Sequence, residues 1–320
     1  MIEIGQENDN TSEEFTIPQI LESFKWFDRV YKREQIDAAI KLKDEITPHL
    51  LNILENVLAD PEKYAENPDR HDYIYAVMLL GHFKETKAHQ VVVDLFSLPG
   101  DLTEKLFGEI KTAYLAGILL NTCGGSLDLI KSMILDRNAN AFCRISACDA
   151  MAYAVLLGYV SRTSVIAFFG TLFTGKEADK MSDFWGLLAA IIHNLYPKEL
   201  MGIIKQAYDD NLIAPGLIHY SEFETTLEMG QEKCLETLKN DMERDCWDDI
   251  HAVMSSWVCF NPSRRKPSLP IPLNTDDHTP VYSRPLSSQP IKCKKKDKKK
   301  DKKKKLKRKQ IRASKKKNRR

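Results

Sequence analysis

The sequence predicts an all-α protein: a HEAT-like or TPR-like α-solenoid of stacked helix pairs, followed by a disordered basic tail. Three observations predict it. Two sets of apolar segments recur with a shared period of about 36 residues, apolar positions inside them step by three and four, and charge divides sharply between the body and the last thirty residues. Solenoids arise from such periods because one helix pair cannot bury its apolar face alone and must stack on its neighbours.

The first set is AVMLLG (76–81), AGILLN (116–121), YAVLLG (153–158) and LAAIIH (188–193), with starts 40, 37 and 35 residues apart. The second set is HQVVVDLF (89–96), SLDLIKSMI (126–134), TSVIAFFGTL (163–172) and KELMGIIKQAY (198–208). Its aliphatic markers Val91, Leu129, Val165 and Leu200 are spaced by 38, 36 and 35. Steps of three and four place side chains on one helical face, whereas a strand would alternate them.

The elements follow in order. Thr16-Ile17-Pro18 opens a helix expected over 18–31, and Thr47-Pro48 opens another through Leu58 that ends at Asp60-Pro61. Both place proline in the first turn, where its missing N–H costs nothing. Asp69 to Asp72 start the next helix by charge and capping. Stop and start signals then separate the repeats: Gly124-Gly125 before Ser126, expected as an N-cap, then Asn138 to Asn140, Gly158 to Ser161, and Tyr196-Pro197. Past Tyr208 the repeat fades, and 220–240 reads as one acidic amphipathic helix with 245–258 as another, together a terminal cap for the stack. The expected domains are a flexible N-terminus over 1–15, the repeat domain over 16–260, a linker over 261–290 carrying Pro267, Pro270, Pro272, Pro280, Pro285 and Pro290, and the tail over 291–320.

The chain has 47 basic and 45 acidic residues, net +2, but this near-neutrality is two opposite charges. Residues 291–320 hold 20 Lys or Arg against Asp297 and Asp301, a surplus of 18, while residues 1–260 carry 23 basic and 41 acidic side chains, a deficit of 18. A like-charged block with so little apolar surface cannot offset the entropy of ordering, so the tail is expected to be disordered. Its residues Lys294, Lys295, Lys296, Lys298, Lys299, Lys300, Lys302, Lys303, Lys304, Lys305, Lys307, Arg308 and Lys309 are the candidate contacts to nucleic acid or another polyanion. With 16 Lys to four Arg and no aromatic after Tyr282, that binding is expected to be salt-sensitive and sequence-indifferent. Two other uses of the tail are a targeting signal, as KKKKLKRK (302–309) would be if the protein reached a eukaryotic nucleus, and an intramolecular partner for the acidic body.

No secretory signal opens the chain, and uncharged stretches such as 150–161 and 163–175 are too short to span a membrane, so the expected setting is cytoplasmic. Seven cysteines, an odd number with no CxxC pair, suit reduced thiols.

HDYIYAVMLLGHFKE (71–85), CDAMAYAVLLGYV (148–160) and DIHAVMSSWVCFNP (249–262), the last with the order Trp257, Cys259, Phe260, resemble an uncharacterised bacterial family, the domain-of-unknown-function 1186 family of helical-repeat proteins. The likeness covers roughly residues 18–262 and implies a helical-repeat architecture and a bacterial cytosolic setting, with no established activity. Members often end in a short Cys-rich metal-binding motif, in place of which this chain has one cysteine, Cys293, among lysines.

Candidate chemistry is sparse. GTLFTGKE (170–177) matches G-x-x-x-x-G-K, but Glu177 stands where a hydroxyl should meet Mg²⁺ and the segment ends a helix rather than following a strand. His71-Asp72, with His49 upstream and Asp94 or Asp149 downstream, offers imidazole and carboxylate ligands for a metal-dependent helical phosphohydrolase. The simpler reading of Asp69 to Asp72 is a helix start. Cys143 with Cys148, and Cys246 with His251, are five apart and face different sides of a helix, so they read as small core residues; His193 in AAIIHNL reads as a satisfied core or groove histidine. The expected function is therefore non-enzymatic: an acidic repeat surface docks a protein partner and the tail engages a polyanion, with no cofactor required.

Overall fold

A computed structural model describes residues 14–180, 182–214 and 216–261. Contacts divide the chain into Met1–Arg265 and Lys266–Arg320, so every described residue belongs to the first unit. The linker and tail expected over 261–290 and 291–320 lie outside the described residues, apart from Asn261.

Among the described residues the fold is all-α, with no strand beyond the isolated bridges Trp26–Arg70 and Pro99–Ala139. The first helices are α1 (Ile17–Lys25), α2 (Arg33–Lys41), α3 (Lys43–Ala59), α4 (Pro61–Ala65), α5 (Asp72–Phe83) and α6 (His89–Phe96). Next come α7 (Leu102–Phe107), α8 (Ile110–Ala113), α9 (Leu115–Thr122), α10 (Asp128–Leu135), α11 (Ala141–Leu156) and α12 (Arg162–Gly170). The last are α13 (Phe184–Asn194), α14 (Met201–Asp209), α15 (Tyr220–Met229), α16 (Gln231–Asp245) and α17 (Ile250–Met254).

Both repeat markers fall where the period places them. AVMLLG, AGILLN, YAVLLG and LAAIIH lie in or at the ends of α5, α9, α11 and α13, and these four pack in sequence, α5 on α9, α9 on α11, α11 on α13. The second markers form α6, α10, α12 and α14, and α6, α10 and α12 each pack beside the first row. Asn140 and Ser161 cap α11 and α12 as expected, accepting from the backbone N–H of Phe142 (2.9 Å) and Ser164 (3.1 Å).

Several boundaries differ from expectation. The helix expected over 18–31 stops at Lys25, because Trp26 turns extended and pairs with Arg70, and Arg29 takes φ +66°. Helix α3 begins at Lys43, a turn before Pro48, so that proline sits inside the helix while the Thr47 hydroxyl bonds the Lys43 carbonyl at 2.7 Å. Leu127 rather than Ser126 holds the cap position of α10. The single helix expected over 220–240 is two, broken at Gly230, whose φ of +86° suits a residue without a Cβ. Of the stretch 245–258, Asp245 ends α16 and only Ile250–Met254 forms a further helix.

The larger correction concerns the end of the array. Helix α15 packs on the last pair, α13 and α14, as a cap would, but the chain then turns back: α16 packs across α13, α11 and α9, and α17 reaches α5. This return explains the burial of the first row. Residues Asp72–Gly81 of α5 and Cys143–Ala154 of α11 are buried without a break, so neither helix has a solvent face. Helix α11 is covered by α10 and α12 and by the returning α16, while α5 is covered by α1, α3 and α9 and by the returning α17. The approach is close at Gly117 in α9, where an added Cβ would lie 2.5 Å from the Asp245 carbonyl oxygen. Nearby, the Tyr153 hydroxyl donates to the Asp245 carboxylate at 2.6 Å. Arg144, 2% exposed, is held by the carbonyls of Ile134 and Glu177, both at 2.8 Å, and lies 4.1 Å over the Phe184 ring.

Candidate functional site

The returning segment meets the N-terminal helices at one histidine. Asp249 caps α17, accepting from the backbone N–H of His251 (2.8 Å) and Ala252 (3.0 Å), which fixes the direction in which His251 leaves the helix. His251 Nε2 lies 2.9 Å from Asp37 Oδ1 on α2, and its Nδ1 lies 2.7 Å from the Tyr31 hydroxyl in the turn between α1 and α2. A carboxylate only accepts, so Nε2 carries the proton in the neutral ring and Nδ1 accepts from Tyr31. Burial pushes the Tyr31 hydroxyl up to about 12, which keeps it a donor at neutral pH.

Aromatic rings seal this junction. Phe260 lies 5.5 Å from Tyr31, 6.2 Å from Phe27 and 6.0 Å from Trp257, while the Trp257 indole N–H donates to the Tyr114 hydroxyl at 3.0 Å. His82, at the end of α5, is lowered by burial and further by the neighbouring His251. Trp257 and Phe260, singled out in the sequence, are thus the residues that dock the end of the described chain.

Asp37 also faces a pocket of about 520 Å³ lined by Glu14, Phe15, Glu34, Asp37, Ala38, Lys41 and Leu42. Its floor is apolar, from Phe15, Ala38 and Leu42; its rim holds three carboxylates and one ammonium group. The loop before α1 supplies Glu14 and Phe15, one face of α2 supplies Glu34, Asp37, Ala38 and Lys41, and Leu42 follows between α2 and α3.

The other candidates have structural occupations. The Asp72 carboxylate is taken by Arg70, whose Nε and Nη2 approach at 3.1 and 2.9 Å while its guanidinium lies 4.4 Å over Tyr64. His71 is half-buried, stacked at 4.6 Å on Phe27 and lowered by that burial, while His49 is exposed on α3. Asp94 accepts from Gln90 at 2.8 Å, and Asp149 is buried in α11. Among the described residues no three His, Cys, Asp or Glu side chains gather where they could hold a metal ion.

In GTLFTGKE the Glu177 carboxylate itself occupies the nest, accepting from the Thr174 hydroxyl (2.5 Å) and from the backbone N–H groups of Thr174 and Lys176 (both 3.1 Å). Burial pushes its pKa up, but these bonds outweigh it and hold the group below its ordinary value. The loop follows helix α12, as the sequence indicates, and an acid of the chain fills the place a phosphate would take. Cys143 and Cys148 are buried and their thiols are raised by desolvation, as is that of the half-buried Cys246, so none is a thiolate at neutral pH. His193 is half-buried, with Nε2 bonded to the Thr226 hydroxyl. The tail residues Lys294 to Lys309 lie outside the described residues.

The sequence profile of a family described as "Protein of unknown function (DUF1186)" matches residues 15–261, which span all but one of the described residues. The chain belongs to this family. It is similar to two uncharacterized proteins, one from Chlamydia muridarum (strain MoPn / Nigg) and one from Chlamydia trachomatis serovar D; each is 31% identical over 243 residues, covering 76% of this chain and 96% of the relative. No solved structure matches the chain. Across the described residues no helix is long and apolar enough to cross a membrane.

Proposed function

We propose that the protein is a non-enzymatic binding protein of the cytoplasm, an α-solenoid of HEAT-like or TPR-like helix pairs whose acidic body docks a protein partner while its lysine-rich tail engages nucleic acid or another polyanion. The observation that carries this reading is the division of charge: a deficit of 18 over residues 1–260 and a surplus of 18 over residues 291–320. A negative body repels phosphate backbones and attracts basic partners, and a lysine tail does the reverse. The relatives support treating the two parts as separable, since the matched residues make up 96% of each and the family profile ends at residue 261, before the tail begins. Metal or thiol catalysis finds little support in the side chains: Asp72 is engaged by Arg70, and burial raises the thiols of the described cysteines that show a shift.

RNA binding measured against salt, for the whole chain and for one ending at residue 290, tests the tail. About six phosphate contacts would cost on the order of a thousandfold in affinity between about 50 and 200 mM salt. The full chain is expected to show that steep dependence and the shortened chain to bind far more weakly. Equal affinity of the two removes the nucleic-acid assignment.

A further inference from the structure

The pocket beside α2 has the form of a site for a side chain that is apolar along its length and carries positive charge around it. Phe15, Ala38 and Leu42, all half-buried, supply an apolar floor, Glu14, Glu34 and Asp37 supply negative charge on the rim, and Lys41 offsets only one of the three. A volume of about 520 Å³ falls within the range of ordinary ligand pockets and holds one or two large side chains. Asp37 is also held in place: His251, itself 14% exposed, fixes its carboxylate at 2.9 Å and is fixed in turn by Tyr31. One rim charge is therefore pre-positioned, which lowers the ordering cost of binding.

Resting on the docking reading above, we infer that this pocket is where the body takes its protein partner, and that the partner presents an amphipathic segment in which one or two large apolar side chains are flanked by lysine or arginine. Charge complementarity selects this occupant. The thirteen residues preceding the pocket carry Glu3, Glu7, Asp9 and Glu13 and no basic side chain, so like charge opposes their filling it. A nucleic acid is excluded by the same rim. The apolar floor supplies affinity and the carboxylates supply selection against acidic or neutral segments.

Fluorescence anisotropy on the full chain tests this with three labelled peptides of equal length: one with Leu and Phe flanked by Lys, one with those apolar residues changed to Ser, and one with the lysines changed to Glu. Binding is expected for the first alone. Glu34→Gln, which leaves the His251 contact intact, is expected to weaken it several-fold, Glu34→Gln with Asp37→Asn at least tenfold, and Ala38→Trp, which fills the floor, to abolish it. Unchanged thermal melting of Glu34→Gln shows that the loss is not unfolding.

Binding of the first peptide that is indifferent to all three substitutions overturns the pocket assignment, while leaving intact the broader reading that the acidic body docks a basic segment. Equal binding of the Ser peptide reduces the site to bare electrostatics and also overturns it. If spermine displaces the peptide at equal concentration with the same dependence on Glu34, the ligand is a polyamine rather than a protein segment. If the peptide binds only after residues 291–320 are removed, the chain's own tail is the occupant and the partner assignment falls.

Discussion

Gly117→Ala and Gly202→Ala make the same chemical change in two helices, and the structure gives them opposite signs. At Gly117 the new Cβ would stand 2.5 Å from the Asp245 carbonyl oxygen, 3.3 Å from its carbon and 3.1 Å from Trp247 Cζ3. Ordinary contact begins at 3.4 Å, so the backbone at the end of α16 must retreat by roughly 0.9 Å. That backbone holds the carboxylate bonded to Tyr153 at 2.6 Å and leads into Trp247, which packs edge-on against Tyr114 at 5.5 Å. The atom met is backbone and not the end of a flexible side chain, so the cost falls at the upper end of the usual range for overpacking, about 2–3 kcal/mol; replacing a helical glycine returns roughly 0.5–1 kcal/mol, leaving a net loss of about 1–2 kcal/mol. At Gly202 in α14 nothing lies within 4 Å, so only the helix gain remains. For a domain of this size each kcal/mol moves the melting temperature by roughly 2–4 °C. Gly117→Ala is thus expected to melt roughly 2–8 °C below the parent and Gly202→Ala a few degrees above it, read by far-ultraviolet circular dichroism with urea titrations alongside. A Gly117→Ala protein as stable as the parent would falsify the close return of α16 over α9.

Further outcomes follow from single side chains. Burial lowers His71, His82 and His89 from 6.5, so the unfolded chain binds protons more readily than the folded one. Their stabilising effect is complete above pH 6.5 and is lost as pH falls through the depressed values, so the urea midpoint is expected to drop below that pH; a midpoint that rises there contradicts the burial. His251→Ala removes the bonds to Tyr31 and Asp37 and should cost about 1–3 kcal/mol while making residues 247–261 newly sensitive to limited proteolysis; cleavage within 247–261 no faster than in the parent would show that the junction is not what holds α17. With Cys293→Ser removing the tail thiol, a thiol reagent should label exposed Cys259 first and fully buried Cys148 last, as mass spectrometry of timed aliquots would show. Glu177→Ser restores the hydroxyl of a phosphate loop, yet MgATP is expected to leave its melting temperature unchanged, because the loop ends a helix; a nucleotide-dependent rise would revive the phosphate-loop reading.

The repeat was legible in the sequence because it depends only on spacing: aliphatic pairs such as Val91-Val92 and Leu129-Ile130 keep their helical phase whatever they pack against. The caps at Asn140 and Ser161 were legible for the same local reason. Ser126 was misplaced by one residue, since two glycines of positive φ before it leave the exact start of α10 to the packing of the turn. DYIYAVMLLGHF and CRISACDAMAYAV carry no polar stripe, and a helix apolar on all sides needs cover on all sides, which a row of simple pairs does not provide.

The Tyr31–His251–Asp37 contact gave no such hint. Its members lie 220 and 214 residues apart, and each is an unremarkable polar residue in its own neighbourhood. The pocket it borders is likewise invisible until the loop before α1 is laid against α2.

By itself the sequence determined that this protein is helical, that its helices come in pairs with a period of about 36 residues, and that its charge is parted between body and tail. These are properties of short windows and of sums, which no rearrangement of the chain alters. Only the tertiary structure decided that α16 and α17 return over the first row once α15 has packed on its last pair, and that a histidine near residue 250 fastens them to α2. Such pairings depend on which surfaces remain uncovered after the stack has formed, and that is fixed by the packing of the whole rather than by any stretch within it.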